Sequence, residues 1–144
     1  MVLAFTGTRQ GATEQQLKTA ILHLSLEPQH YILNGACEGA DRAIHGAILD
    51  AGLGGKVRFE FWPSNEEQNK WALKVLRPKD LLFGIEKPLK RNNFMINRAE
   101  GLMAMPKGYR EALRSGTWAT IRYARKIKKP VTIVWPNGTF VTET

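Results

Sequence analysis

Five short, mostly apolar runs punctuate the chain: Val2 to Thr6, Tyr31 to Leu33, Val57 to Trp62, Leu102 to Met105 and Val131 to Trp135. Runs of this length, rich in Val, Ile, Leu and Phe and closed by glycine, proline or a small polar residue, predict strands buried on both faces. Between them the apolar positions recur every three to four residues. Thr13, with Gln16 three positions on, predicts a capped helix whose inner stripe is Leu17, Ala20, Ile21 and Leu24 and which stops at Pro28. Asp41 is expected to cap a second helix with Ile44, Ala47, Ile48 and Ala51 inward and Gly52 at its end. Ser64 with Glu67 predicts a capping box for a third helix ending before Pro78. A fourth is expected from Leu89 to Ala99. A fifth has Trp118, Ile121 and Ala124 inward, Arg122, Arg125, Lys126, Lys128 and Lys129 outward, and Pro130 as its stop. Residues 77 to 88, with two prolines and a glycine but no period, read as a loop placed to move over a site. Asn137-Gly138 is a strong hairpin signal, so Thr139 to Thr142 should return as an antiparallel edge strand.

Strands alternating with helices require right-handed crossovers, and therefore a mostly parallel sheet with helices on both faces. The expected fold is one α/β domain over residues 1–144, a three-layer Rossmann-like sandwich of five core strands in the order 3-2-1-4-5. That order places the topological switch between the first and fourth strands, where ligands bind beyond the carboxyl ends of the strands.

Charge adds a direction to this picture. Residues 1 to 72 carry 6 Lys and Arg against 8 Asp and Glu, whereas residues 73 to 144 carry 15 against 5. A basic half favours a polyanionic partner or, equally, provides a solubilising surface. The lone Cys37 excludes an intramolecular disulfide and a cysteine zinc cluster, and His23, His30 and His45 have no ligand spacing, so neither metal nor cofactor is expected. No run is long enough to span a membrane, and the first residues lack the form of a signal peptide; a cytosolic location without a membrane partner is the default expectation.

Candidate chemistry concentrates in the turns. Gly7-Thr8-Arg9-Gln10-Gly11 follows the first strand, so its N–H groups and Arg9 are placed to meet an anion. Gly35-Ala36-Cys37-Glu38-Gly39-Ala40-Asp41 opens into the second helix, with Asp41 readable either as a plain cap or as an acceptor for ribose hydroxyls. Lys90, Arg91 and Asn92 sit at the front of the fourth helix, and Arg91 is the residue expected to reach the crevice. Pro106 ends the fourth strand, and Ser115-Gly116-Thr117 opens the fifth helix as a third phosphate cradle. Trp62, Trp71, Trp118 and Trp135 fall in core stripes and read mainly as packing.

These segments together resemble the SLOG superfamily of Rossmann-like proteins and, within it, the DNA-processing protein A (Smf) family. The match rests on Gly7-Thr8-Arg9; on Asn34-Gly35-Ala36 with Gly39-Ala40-Asp41 and His45; on Arg91-Asn92-Asn93; and on Ser115-Gly116-Thr117 with Ala124 and Pro136. The resemblance implies single-stranded DNA bound through Arg9, Lys90, Arg91 and their neighbours. A more distant similarity to the Lonely Guy phosphoribohydrolases implies nucleoside-monophosphate cleavage, with Arg91 matching their arginine. Their glutamate is replaced by Ala119, and Pro106-Lys107-Gly108 stands where they have a double-glycine loop; hydrolysis would need Asp41 or Glu38 instead. The expected function is therefore non-catalytic binding of a phosphate-bearing nucleotide or nucleotide-derived ligand. Single-stranded DNA or RNA binding and N-glycosidase activity are the alternatives. Helix faces left available make a second copy of the chain a further partner to consider.

Overall fold

The computed structural model describes residues 1–26 and 31–144. Pro28, expected to stop the first helix, and His30 lie outside the described residues. The strands are β1 (Val2–Gly7), β2 (Tyr31–Asn34), β3 (Arg58–Phe61), β4 (Leu81–Leu82), β5 (Gly101–Met105), β6 (Val131–Val134) and β7 (Phe140–Glu143). The helices are α1 (Glu14–Leu26), α2 (Ala40–Asp50), α3 (Glu66–Val75), α4 (Pro88–Arg98) and α5 (Gly116–Lys126). One sheet holds all seven strands in the order β4-β3-β2-β1-β5-β6-β7, parallel except for the antiparallel pair β6 and β7. The expected 3-2-1-4-5 core and its antiparallel edge are present, and the switch falls between β1 and β5, where Gly7 stands beside Met105.

Side-chain alternation along β1 divides the core. Phe5 packs with Ala20, Leu24, Ile44, Ile48 and Ala72, which places α1, α2 and α3 on one face. Val2 and Ala4 pack with Met95, Ile96, Trp118, Ile121 and Ala124, which places α4 and α5 on the other. No helix among the described residues is long and apolar enough to cross a membrane.

Local chemistry explains the helix ends and corrects three expectations. Thr13 Oγ1 accepts from the Gln16 N–H at 3.1 Å and Gln16 Oε1 accepts from the Thr13 N–H at 2.9 Å, a reciprocal capping box. The Gln16 amide then donates to the carbonyls of Pro106 and Val134, tying α1 to the ends of β5 and β6. Asp41 does not cap α2: Gly39 holds that position without a side-chain bond, and Asp41 is buried in the first turn. Asn65 rather than Ser64 caps α3, accepting from Gln68, because Gln68 Oε1 instead takes the Ser64 N–H and hydroxyl. The stretch 77 to 88 is not a free lid: β4 pairs with β3, and buried Asp80 binds Arg77 and accepts from the Phe59 N–H. Gly52, at φ +75°, ends α2 as expected, with the Leu53 N–H on Ile48 and its own on Leu49.

Candidate anion-binding cavity

At the carboxyl end of β1, between α4 and α5, lies a cavity of about 700 Å³. This is the size range of small-molecule sites. Its floor is the closely nested pair of turns after β1 and β2. Gly39 has φ +90°, and a Cβ there would lie 2.5 Å from the carbonyl carbon of Arg9. A Cβ on Gly7 would lie 2.4 Å from that of Ala40, and one on Gly35 would lie 2.9 Å from both Arg91 Nη1 and Asp41 Oδ2. These glycines let two backbone turns and the side chains of Arg91 and Asp41 share one small volume.

Nesting consumes donors. The Ala40 N–H donates to the Thr8 carbonyl at 2.9 Å, that of Ala36 to Asn34 Oδ1 at 2.7 Å, and that of Cys37 to Asp41 Oδ2 at 3.3 Å. Thr8 gives its own N–H to Met105 and takes that of Gln10 on Oγ1. The Arg9 N–H is left without a partner among the described residues, and the third turn leaves more. Ser115 Oγ accepts from the Trp118 N–H, while the N–H groups of Gly116 and Thr117 have no partner among the described residues, and the space beside Gly116 is open. Two free donors at the positive end of α5 therefore face the cavity.

Of the residues singled out in the sequence, Gly7, Thr8, Arg9, Gly35, Asp41, Arg91, Asn92, Ser115, Gly116 and Thr117 line this cavity. Gly11, Ala36, Gly39, Ala40, Lys90 and Pro106 do not. Gly39 and Ala40 shape the floor from behind, Pro106 gives its carbonyl to Gln16, and Lys90 pairs with Glu86 at 3.7 Å. Sequence reasoning named Lys107 only within the segment that replaces a double-glycine loop and passed over Arg110 and Arg114; all three are exposed cations in the connection before α5 that also line the cavity. The signal was available: three cations within eight residues, directly after a strand at the switch point. It also passed over Pro88, Leu89, Met95 and Ile96, which form an apolar wall from α4.

Arg91 is only 4% exposed. Its Nη1 donates to the carbonyls of Gly35 and Trp62, both at 2.8 Å, its Nε to Asn92 Oδ1 at 2.7 Å, and its Nη2 to Cys37 Sγ at 3.4 Å. Much of its capacity thus goes to joining α4 to the second turn. Burial pushes the Asp41 carboxyl up to about 6, against the opposing pull of Arg91 and hydrogen bonds from the Cys37 and Gly35 backbone. Burial and the Asp41 charge likewise raise the Cys37 thiol, which argues against a reactive thiolate. His45 packs among Phe59, Phe61 and Trp71, where burial lowers its pKa, and it stays outside the cavity. Trp118 lines the cavity and meets Trp135 at a tilt, and Trp135 in turn stacks with exposed Tyr109. No group of three or more His, Cys, Asp or Glu among the described residues is placed to hold a metal ion.

The arrangement is suited to an anion at the α5 end with a less polar body against α4. Neither a family model nor a curated protein matches the sequence. Among solved structures, the fold resembles that of DNA processing protein A (DprA) from Streptococcus pneumoniae, with a TM-score of 0.62 and 20% identity over 91% of this chain. The chain spans 49% of that neighbour's length, and the likeness is one of fold: a DprA-like, Rossmann-like α/β architecture.

Proposed function

We propose that this chain binds a phosphate-bearing nucleotide or nucleotide-derived ligand, with the phosphate at the N-terminus of α5, and does so without catalysis. The observation that carries this reading is the pair of unpartnered N–H groups of Gly116 and Thr117, facing a cavity that Arg9, Lys107, Arg110 and Arg114 also line. A non-catalytic role is supported by the carboxylates. Glu38 is exposed and off the cavity, Ala119 supplies no acid, and among the described lining residues only Asp41 carries one.

Thermal unfolding with AMP, ADP-ribose and NAD tests the reading. A ligand present at about 100 times its dissociation constant should add about 2.7 kcal/mol of stability. The gain should disappear in the double variant Arg110→Ala, Arg114→Ala. If none of the three shifts the unfolding transition, the reading fails.

A second reading is single-stranded nucleic acid. It is favoured by the exposed cations Arg9, Lys107, Arg110 and Arg114 on the cavity, by exposed Tyr109 in the same connection as the last three, and by the fold of a neighbour named as a DNA processing protein. It requires that labelled oligonucleotides bind at about 50 mM salt and that affinity fall steeply as salt rises. Binding to mononucleotides but not to oligonucleotides would decide for the first reading.

A further inference from the structure

The Asp41 carboxyl has the opposite sign to every other charged side chain on the cavity. Arg9, Arg91, Lys107, Arg110 and Arg114 are all cations, and Asp41 stands among them at 6% exposure. Its Oδ2 accepts from the Cys37 N–H, and the space that Gly35 leaves clear is shared by this oxygen and by Arg91 Nη1. Arg91 commits its guanidinium to the Gly35 and Trp62 carbonyls, to Asn92 and to Cys37, so it compensates Asp41 by proximity; no ion pair joins the two among the described residues. An anion entering the cavity therefore meets a buried carboxylate whose charge is only partly balanced. Repulsion between like charges in such a place is relieved most directly by protonation.

We propose that Asp41 couples anion occupancy of this cavity to proton uptake: the carboxyl is ionised beside Arg91 in the ligand-free protein and takes up a proton when an anion binds. The inference rests on the anion-binding reading above. The groups facing Asp41 are Cys37 from the second turn and Arg91 from α4; Arg9 acts on Cys37 and lines the cavity, as do Lys107, Arg110 and Arg114. Arg42, next along α2, is turned away to the Ala36 carbonyl and Glu67, and His45 lies among aromatic rings off the cavity. The sign follows from linkage. A bound anion raises the carboxyl's pKa further, so affinity increases as pH falls from that higher value to about 6 and levels off below it.

Calorimetry with ADP-ribose, and with sulfate as a bare anion, provides the test, since neither ligand changes charge between about pH 5 and pH 8. Near neutrality, buffers of different ionisation enthalpy should reveal uptake of up to one proton per ligand bound. Affinity should rise about tenfold toward low pH for each unit by which the anion raises the carboxyl's pKa. Asp41→Asn should bind with pH-independent affinity and exchange no proton. On the unmodified protein, the carboxyl carbon shift of Asp41 should titrate at higher pH with ligand than without. Binding with equal affinity at about pH 5 and about pH 8, or a pH dependence retained in Asp41→Asn, overturns the coupling while leaving the anion site standing. Failure of both anions to bind at any pH removes the anion-binding reading, and the coupling with it.

Discussion

Individual residues of the same type play opposite parts around the cavity, and only their surroundings say which. Gly39 sits at φ +90° with backbone atoms of Thr8 and Arg9 2.5 Å from where a Cβ would be, so Gly39→Ala must strain the backbone and push two turns apart. Urea unfolding should show a loss of at least about 2 kcal/mol. Gly116 has open space beside it, and Gly116→Ala should leave stability within about 0.5 kcal/mol. Equal losses for the two would contradict the nested-turn geometry. Asp41 makes a pH prediction of its own. Its folded pKa, about 6, exceeds the ordinary 3.8, so the stability it contributes is full below 3.8 and lost as pH rises through about 6. That rise corresponds to roughly 3 kcal/mol. Asp41→Asn should therefore gain stability relative to the unmodified protein between about pH 4 and pH 7, with the difference constant above that range. A difference that shrinks as pH rises would reverse the assignment.

Among the elements, α5 carries most of the proposed binding. Its inner stripe of Trp118, Ile121 and Ala124 was visible in the sequence spacing, and so was Ser115 at its start. Ser115 holds the first turn by accepting from the Trp118 N–H. Removing that acceptor in Ser115→Ala should cost about 1 kcal/mol of stability, and Ser115→Asp should restore most of it. Yet Ser115→Asp places an anion where the ligand phosphate is proposed to sit, so nucleotide binding measured by calorimetry should fall in it more than in Ser115→Ala. Restored stability together with undiminished binding would move the phosphate elsewhere. The short strand β4 could not be read from the sequence in this way. Two residues hold no period, and it exists because Asp80 and Arg77 fasten the segment to β3 and to the Gly54 and Val57 carbonyls.

At the scale of the whole molecule, the sequence by itself determined the layer architecture. Five apolar runs separated by amphipathic helices can bury their surface only as a parallel sheet covered on both sides, and that constraint also sets the switch between β1 and β5. It determined as well that the turns after β1 and β2 and the one before α5 meet at one edge. Tertiary structure decided which of them keep donors for a ligand. Whether an N–H is free depends on what packs within 3 Å of it, and no local pattern records that the Thr8 carbonyl would take the N–H of Ala40. The burial that raises Asp41 and the inward anchoring of Arg91 are likewise products of chain packing over long sequence separations. Charge and residue type are written in the sequence, but the desolvation and neighbours that give them chemistry arise only in the fold.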